Sequence, residues 1–223
     1  MKPEDMIKLN NEKRKLLTEE NELSYSNILV YIRCSNVPEQ QTEELLLEIL
    51  EHLLEAQKEG KTAYDVFGDN LQSYCDELIN ALPQQTMFEK FSNIGFMISL
   101  LLAIQFGIDT ISAIIISISP KQHQFHGLSF DVLDILLCVT ILTVGIYIIL
   151  YILKGFSFNV EMNWKRRITF GLAVSIPFGS VVLLHIFFKK HPYLTYNISI
   201  WQGALVACFF YILYKFLFKA SRF

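Results

Sequence analysis

Asp109 is the residue whose type and setting point most directly to chemistry. It lies within residues 93–118, 26 positions in which it is the only ionisable side chain. An acid at membrane depth is expensive and is a functional candidate by default. Gln105 precedes it by one helical turn and shares its face. His185 and Gln202 fall near the ends of two later apolar stretches that would reach the same side of a bilayer. Together these four intramembrane polar residues could line a small outward cavity for a proton or a cation. A plainer role is open to the same residues, with Asp109 as a hydrogen-bonded acid that holds a helix bundle together.

Other reactive side chains carry less. His123 and His126 are three apart and could share a metal, but only Asp131 lies near enough in sequence to complete a site, so no metal is expected. Cys34, Cys75, Cys138 and Cys208 form no C-x-x-C pair, disulfide frame or metal knuckle. His52 flanks an acidic helix face, where it is either a pH-sensitive group or a structural histidine. There is no H-E-x-x-H, no G-x-S-x-G, no phosphate-binding glycine loop and no paired carboxylates. The expectation is a non-enzymatic protein without a cofactor.

The elements that must position these residues follow from charge and hydropathy. The chain has 223 residues, 52% of them apolar, and a mean hydropathy of +0.34. Residues 1–90 hold 9 Lys/Arg against 18 Asp/Glu, a net of −9, whereas residues 91–223 hold 10 against 4, a net of +6. The predicted fold is all-α: an acidic N-terminal helical bundle over 1–84, a linker over 85–92 and a membrane domain over 93–223. Its negative charge argues against direct nucleic-acid binding, which needs Lys and Arg at phosphates. No apolar run in the first 90 residues has the form of a signal peptide, so the first span should itself direct insertion.

In the N-terminal domain, Pro3 can open a helix reaching about Leu17, and Thr18 can cap a second over 19–33. After the break at Ser35-Asn36-Val37-Pro38, a third should run from Glu39 to Glu59 and stop at Gly60. Its Leu46, Ile49, Leu50 and Leu53 face a core, and Glu44, Glu48, Glu51 and Glu55 form an acidic ridge opposite. Like charges at i,i+4 do not stabilise a helix. The ridge is thus either a solvated face or a docking surface for a basic protein partner. Thr62 with Asp65 has the form of a capping box for a short turn over 63–67. Asp69 can then cap a last helix ending before Pro83. The expected core is Leu46, Ile49, Leu50, Leu53, Val66, Phe67, Leu71, Cys75, Leu78 and Ile79.

The run LLLEILEHLLEAQKEGKTAYDVFGDN, with Glu48 and His52, Glu59-Gly60-Lys61 and Phe67-Gly68-Asp69, resembles the core of HAAS-type (HTH-associated alpha-helical signalling) domains. The resemblance covers roughly residues 20–83, with Asn70 standing where that family has proline. It implies a helical domain with a signalling or envelope-response role in bacteria, encoded beside PadR-like regulators, and it transfers no catalytic residue. The whole chain is also similar to an uncharacterised family of Gram-positive membrane proteins.

Four segments, about 93–118, 132–153, 168–188 and 198–218, each hold enough apolar residues to cross a bilayer as helices. With the N-terminus inside, eight basic residues (Lys90, Lys154, Lys165, Arg166, Arg167, Lys215, Lys219 and Arg222) collect on the inner side and three (Lys121, Lys189 and Lys190) on the outer. This predicts a multi-pass protein of the cell membrane with both termini cytosolic. Gly95, Ser99, Ala103 and Gly107 form a small-residue seam on the first span, and Gly171, Ser175 and Gly179 form another on the third, which Pro177 should kink. The seams are expected to pack together, or one of them to form a homo-oligomer contact. The overall expectation is a membrane-anchored signalling or adaptor protein whose cytosolic domain docks a protein partner; the alternative is a small transporter or channel using Asp109.

Overall fold

The computed structural model describes residues 1–118, 127–158 and 164–220. His123 and His126 lie outside the described residues, as does any metal site built on them. The described chain is all-α, as expected, with one small two-stranded sheet. It divides into two compact units. One comprises Met1–Met87 with Ile149–Arg167 and Arg222–Phe223, and the other comprises Phe88–Ile148 with Ile168–Ser221.

The first unit is a helical bundle. Helix α1 (Pro3–Arg14) opens on proline, with Glu4 and Asp5 in its first turn and Lys13 and Arg14 in its last, which complements the helix dipole at both ends. It stops three residues before Leu17. There the amides of Leu16 and Leu17 bond three residues back, to Lys13 and Arg14, at 3.0 and 3.1 Å, tightening the end into a turn. Helices α2 (Glu19–Arg33) and α3 (Glu39–Lys58) form the body of the unit. Thr18 occupies the N-cap of α2, but its side chain accepts no cap hydrogen bond.

Helix α3 ends in a Schellman motif. Gly60 sits at φ +76°, its amide bonds Gln57 O at 3.0 Å, and the Lys61 amide bonds Ala56 O at 3.1 Å. The Thr62–Asp65 capping box forms at α4 (Ala63–Phe67). The Thr62 amide and then its hydroxyl hold the Asp65 carboxyl below its usual range. Helix α5 (Leu71–Ala81) is capped by Asn70, whose side chain accepts from the Ser73 amide at 3.0 Å. Sequence placed that cap at Asp69, one residue early.

The core contains Leu46, Ile49, Leu50, Leu53, Leu71, Cys75 and Ile79 as anticipated, with Phe67 and Leu78 packed at its edge. Val66 is only half-buried. The largest contribution left out of the sequence reading is α2: Tyr25, Ile28 and Ile32 are fully buried. Burial pushes the Tyr25 phenol up to about 12. It therefore stays protonated and donates to Leu46 O at 2.9 Å while accepting from the buried Asn10 amide. Buried Glu43 takes both hydrogen bonds of the Arg33 fork at 2.8 Å, pairing the charge that burial would otherwise penalise. Asn21 joins three segments: it donates to Gln57 and to Lys61 O and accepts from the Ala63 amide at 2.9 Å.

Among the described residues, four helices are long and apolar enough to cross a membrane: α6 (Met87–Ile118), α7 (Val132–Phe156), α8 (Trp164–Lys190) and α9 (Ile200–Ala220). Helix α6 starts at Met87, so most of the stretch read as a linker is already helical. In the second unit the helices approach closely at glycines. A Cβ on Gly145 of α7 would lie 2.9 Å from Pro177 of α8. One on Gly203 of α9 would lie 2.9 Å from Thr110 of α6. Strands β1 (Leu128–Asp131) and β2 (Thr195–Ile198) precede α7 and α9 and pair antiparallel, Leu128 opposite Ile198 and Asp131 opposite Thr195. The sheet ties the α6–α7 connection to the α8–α9 connection. Sequence showed neither strand.

Candidate functional site

Asp131 closes β1 and begins α7, and it organises this end of the second unit. Its Oδ1 accepts from the Leu133 amide at 2.9 Å and the Asp134 amide at 3.4 Å, the pattern of a helix cap. Its Oδ2 accepts from the amides of Tyr193 and Leu194, which lead into β2, at 2.7 and 2.8 Å. Burial alone would raise this carboxyl, but the four amides outweigh it and hold it below the usual carboxylate range.

One turn into α7, Asp134 is 8% exposed. Its Oδ2 lies 2.9 Å from His185 Nδ1 on α8, and its Oδ1 accepts from the Cys138 thiol at 3.2 Å. With the carboxylate as acceptor, His185 donates from Nδ1, which leaves Nε2 as the ring's second functional atom. Asp109 on α6 accepts from Gln105 Nε2 at 3.0 Å, one turn away.

Asp109, Gln105, Asp131, Asp134, His185 and Lys189 share the wall of one cavity of about 630 Å³, together with Phe130, Phe188 and Ile116. That volume is in the range of small-molecule pockets. Asp109, Gln105 and His185 thus line one wall, and the direct partner of His185 is Asp134 rather than Asp109. Gln202 is not in this wall. Its side chain accepts from the Ser199 amide at 2.9 Å and its amide donates to Ser199 Oγ at 3.3 Å, so it caps α9. Among the described residues no cluster of three His, Cys, Asp or Glu side chains is arranged to hold a metal.

Sequence reasoning missed Asp134 and Lys189 as site residues. The signal for Asp134 was the pair Asp131-x-x-Asp134 directly before an apolar run, which is a helix-start pattern. Counting Asp134 into the span hid it.

The seams do not meet. A Cβ on Gly95 would lie 3.1 Å from Leu217 of α9, and Ser99 is buried with its hydroxyl on Gly95 O at 2.7 Å. Ala103 is half-buried, and nothing lies within 4 Å of a Cβ on Gly107. On α8, Gly171 and Gly179 are equally open, and Ser175 bonds back to Gly171 O. The aromatic side chains of α9 settle this, because Phe96 of α6 packs against Tyr214 and Phe218 at centroid distances of 6.2 and 5.6 Å. In the first unit Glu44, Glu48, Glu51 and Glu55 are all exposed on α3. Lys13 of α1 pairs with Glu51, and Gln40 bonds Glu44.

The chain belongs to the family described as protein of unknown function (DUF1129), whose sequence model matches residues 26–220. The match runs through most of the N-terminal bundle and all four apolar helices. No match was found among curated proteins or among solved structures.

Proposed function

We propose that this member of an uncharacterised family of membrane-like helical proteins is a non-enzymatic signalling adaptor of the cell membrane, with both termini in the cytosol. Its N-terminal domain docks a basic protein partner on the ridge of Glu44, Glu48, Glu51 and Glu55. The observation that carries this reading is the end of α7. Residues Ile149–Arg167 belong to the N-terminal unit. There the Phe158 ring packs tilted against Tyr31, with centroids 5.0 Å apart, and Lys154 Nζ lies 4.6 Å over the same ring. A domain held by a span at a second point is built to feel that span, which an inert anchor does not require. The resemblance of residues 20–83 to HAAS-type signalling domains supports the same reading, and the basic-residue distribution supports the orientation.

The test is affinity capture by the full chain from native membranes, with the four glutamates replaced by lysine as the control. An adaptor loses a defined basic partner in the control while keeping its helicity; equal capture by both chains sinks the docking ridge. A second reading, a small transporter or channel, is favoured by the cavity that holds Asp109 and His185. Asp109→Asn would abolish flux in a transporter and leave partner capture by an adaptor unchanged.

A further inference from the structure

The cavity in the second unit contains more charges than it pairs. Asp131 is satisfied by four backbone amides and Asp134 by His185 and Cys138. Two charged groups in the wall remain. Asp109 is half-buried and receives one hydrogen bond, from the neutral Gln105 amide. Lys189, in the last turn of α8, makes no ion pair among the described residues. The two do not neutralise each other, yet they face one space of about 630 Å³ whose remaining wall is partly aromatic. Asp109 is the unpaired charge held partly buried beside apolar surface, which is costly, and a partner of opposite sign relieves that cost; Lys189 is exposed at the mouth and open to an anion. A lone cation would engage Asp109 only, and a lone anion Lys189 only.

We infer that this cavity binds a zwitterion, with a primary ammonium at Asp109 and a carboxylate or phosphate at Lys189. The ammonium donates to the free Asp109 oxygen, and the Lys189 ammonium donates to the anionic group. Phe130 and Phe188 cover the short carbon chain between the two. The same chemistry is offered by a free dipolar solute and by an aminophospholipid headgroup, and the cavity accommodates either. The inference does not depend on the adaptor reading, because it concerns only the second unit.

The test uses the full chain in nanodiscs of phosphatidylglycerol, which carries no ammonium. Thermal unfolding is followed while phosphoethanolamine, L-alanyl-L-alanine, ethylamine or propionate is added. A parallel series raises the fraction of phosphatidylethanolamine in the disc. The expected result is a saturable upward shift of the unfolding midpoint with a zwitterion, at a concentration about tenfold or more below that needed for ethylamine or propionate. A shift with the free compounds alone assigns a solute; a shift with phosphatidylethanolamine alone assigns the headgroup. Lys189→Gln and Asp109→Asn should each weaken the response by about tenfold. Lys189 is exposed, so its Gln variant keeps the fold and decides the matter even if Asp109→Asn does not fold. The inference is overturned if no zwitterion gives a saturable shift, if ethylamine or propionate acts at the same concentration, or if Lys189→Gln responds like the parent. Loss of partner capture by the four-Glu variant would leave all of these readings untouched, so the two proposals fail separately.

Discussion

Asp131 shows how much one side chain can organise. Its two oxygens receive four backbone N–H groups from two connections more than 60 residues apart in sequence. Asp131→Ala would leave the amides of Leu133, Tyr193 and Leu194 without their acceptor. Hydrogen exchange should show those three amides losing protection while the helical signal of α6–α9 is kept; retained protection would mean that the strand pairing alone holds the two connections. The acid dependence has a definite sign. The folded carboxyl lies below its ordinary value of 3.8. Its contribution is therefore complete above that value and is lost as pH falls further, through the folded value. The β1–β2 amides should keep their protection at neutral pH and lose it below pH 3.8, and Asp131→Asn should remove that acid-dependent step.

At the scale of elements, hydropathy and cap chemistry located nearly every helix. The reasons are local: Pro3 at a first turn, the Thr62–Asp65 box, Gly60 with a positive φ after α3, and apolar runs long enough to span. What failed to show was non-local. The strands LSFD and TYNI have four residues each, too few for alternation to declare itself, and they exist because each pairs with the other. The Asp134–His185 contact joins residues 51 apart, so spacing carried no trace of it. Small-residue seams were legible as seams, but not which helix they would receive. The glycine that matters between α7 and α8 is Gly145, outside either seam. Gly145→Leu would drive a Cβ to 2.9 Å from the Pro177 ring. Overpacking of this kind costs about 1–3 kcal/mol. Gly171→Leu, at a position with nothing within 4 Å, should be nearly neutral. Unfolding midpoints of the two variants in nanodiscs test this; equal midpoints would mean that α7 and α8 do not rely on the close approach.

At the scale of the whole chain, α7 divides between the two units, Val132–Ile148 in one and Ile149–Phe156 in the other. Its two ends are chemically distinct. The first turn carries Asp134 and the cavity wall; the last carries Lys154, which lies over Tyr31, followed closely by Phe158. Cys34, one residue past α2, reports on this second end. Burial pushes its thiol up, and the Lys154 charge opposes that shift. The two neighbours should therefore act in opposite directions. Phe158→Ala uncovers the corner around Tyr31, and Cys34 should react with iodoacetamide several-fold faster, because thiolate access governs the rate. Lys154→Gln removes the stabilising charge, leaves less thiolate at neutral pH, and should slow the same reaction. Cys75 is fully buried with its thiol pushed up to about 12, so it serves as an internal control that neither variant changes. Peptide-resolved labelling of the full chain in nanodiscs reads both cysteines at once. Opposite changes at Cys34 with Cys75 constant would establish the α7 contact in the membrane-embedded protein. Unchanged Cys34 labelling in both variants would show that the end of α7 is not seated on Tyr31.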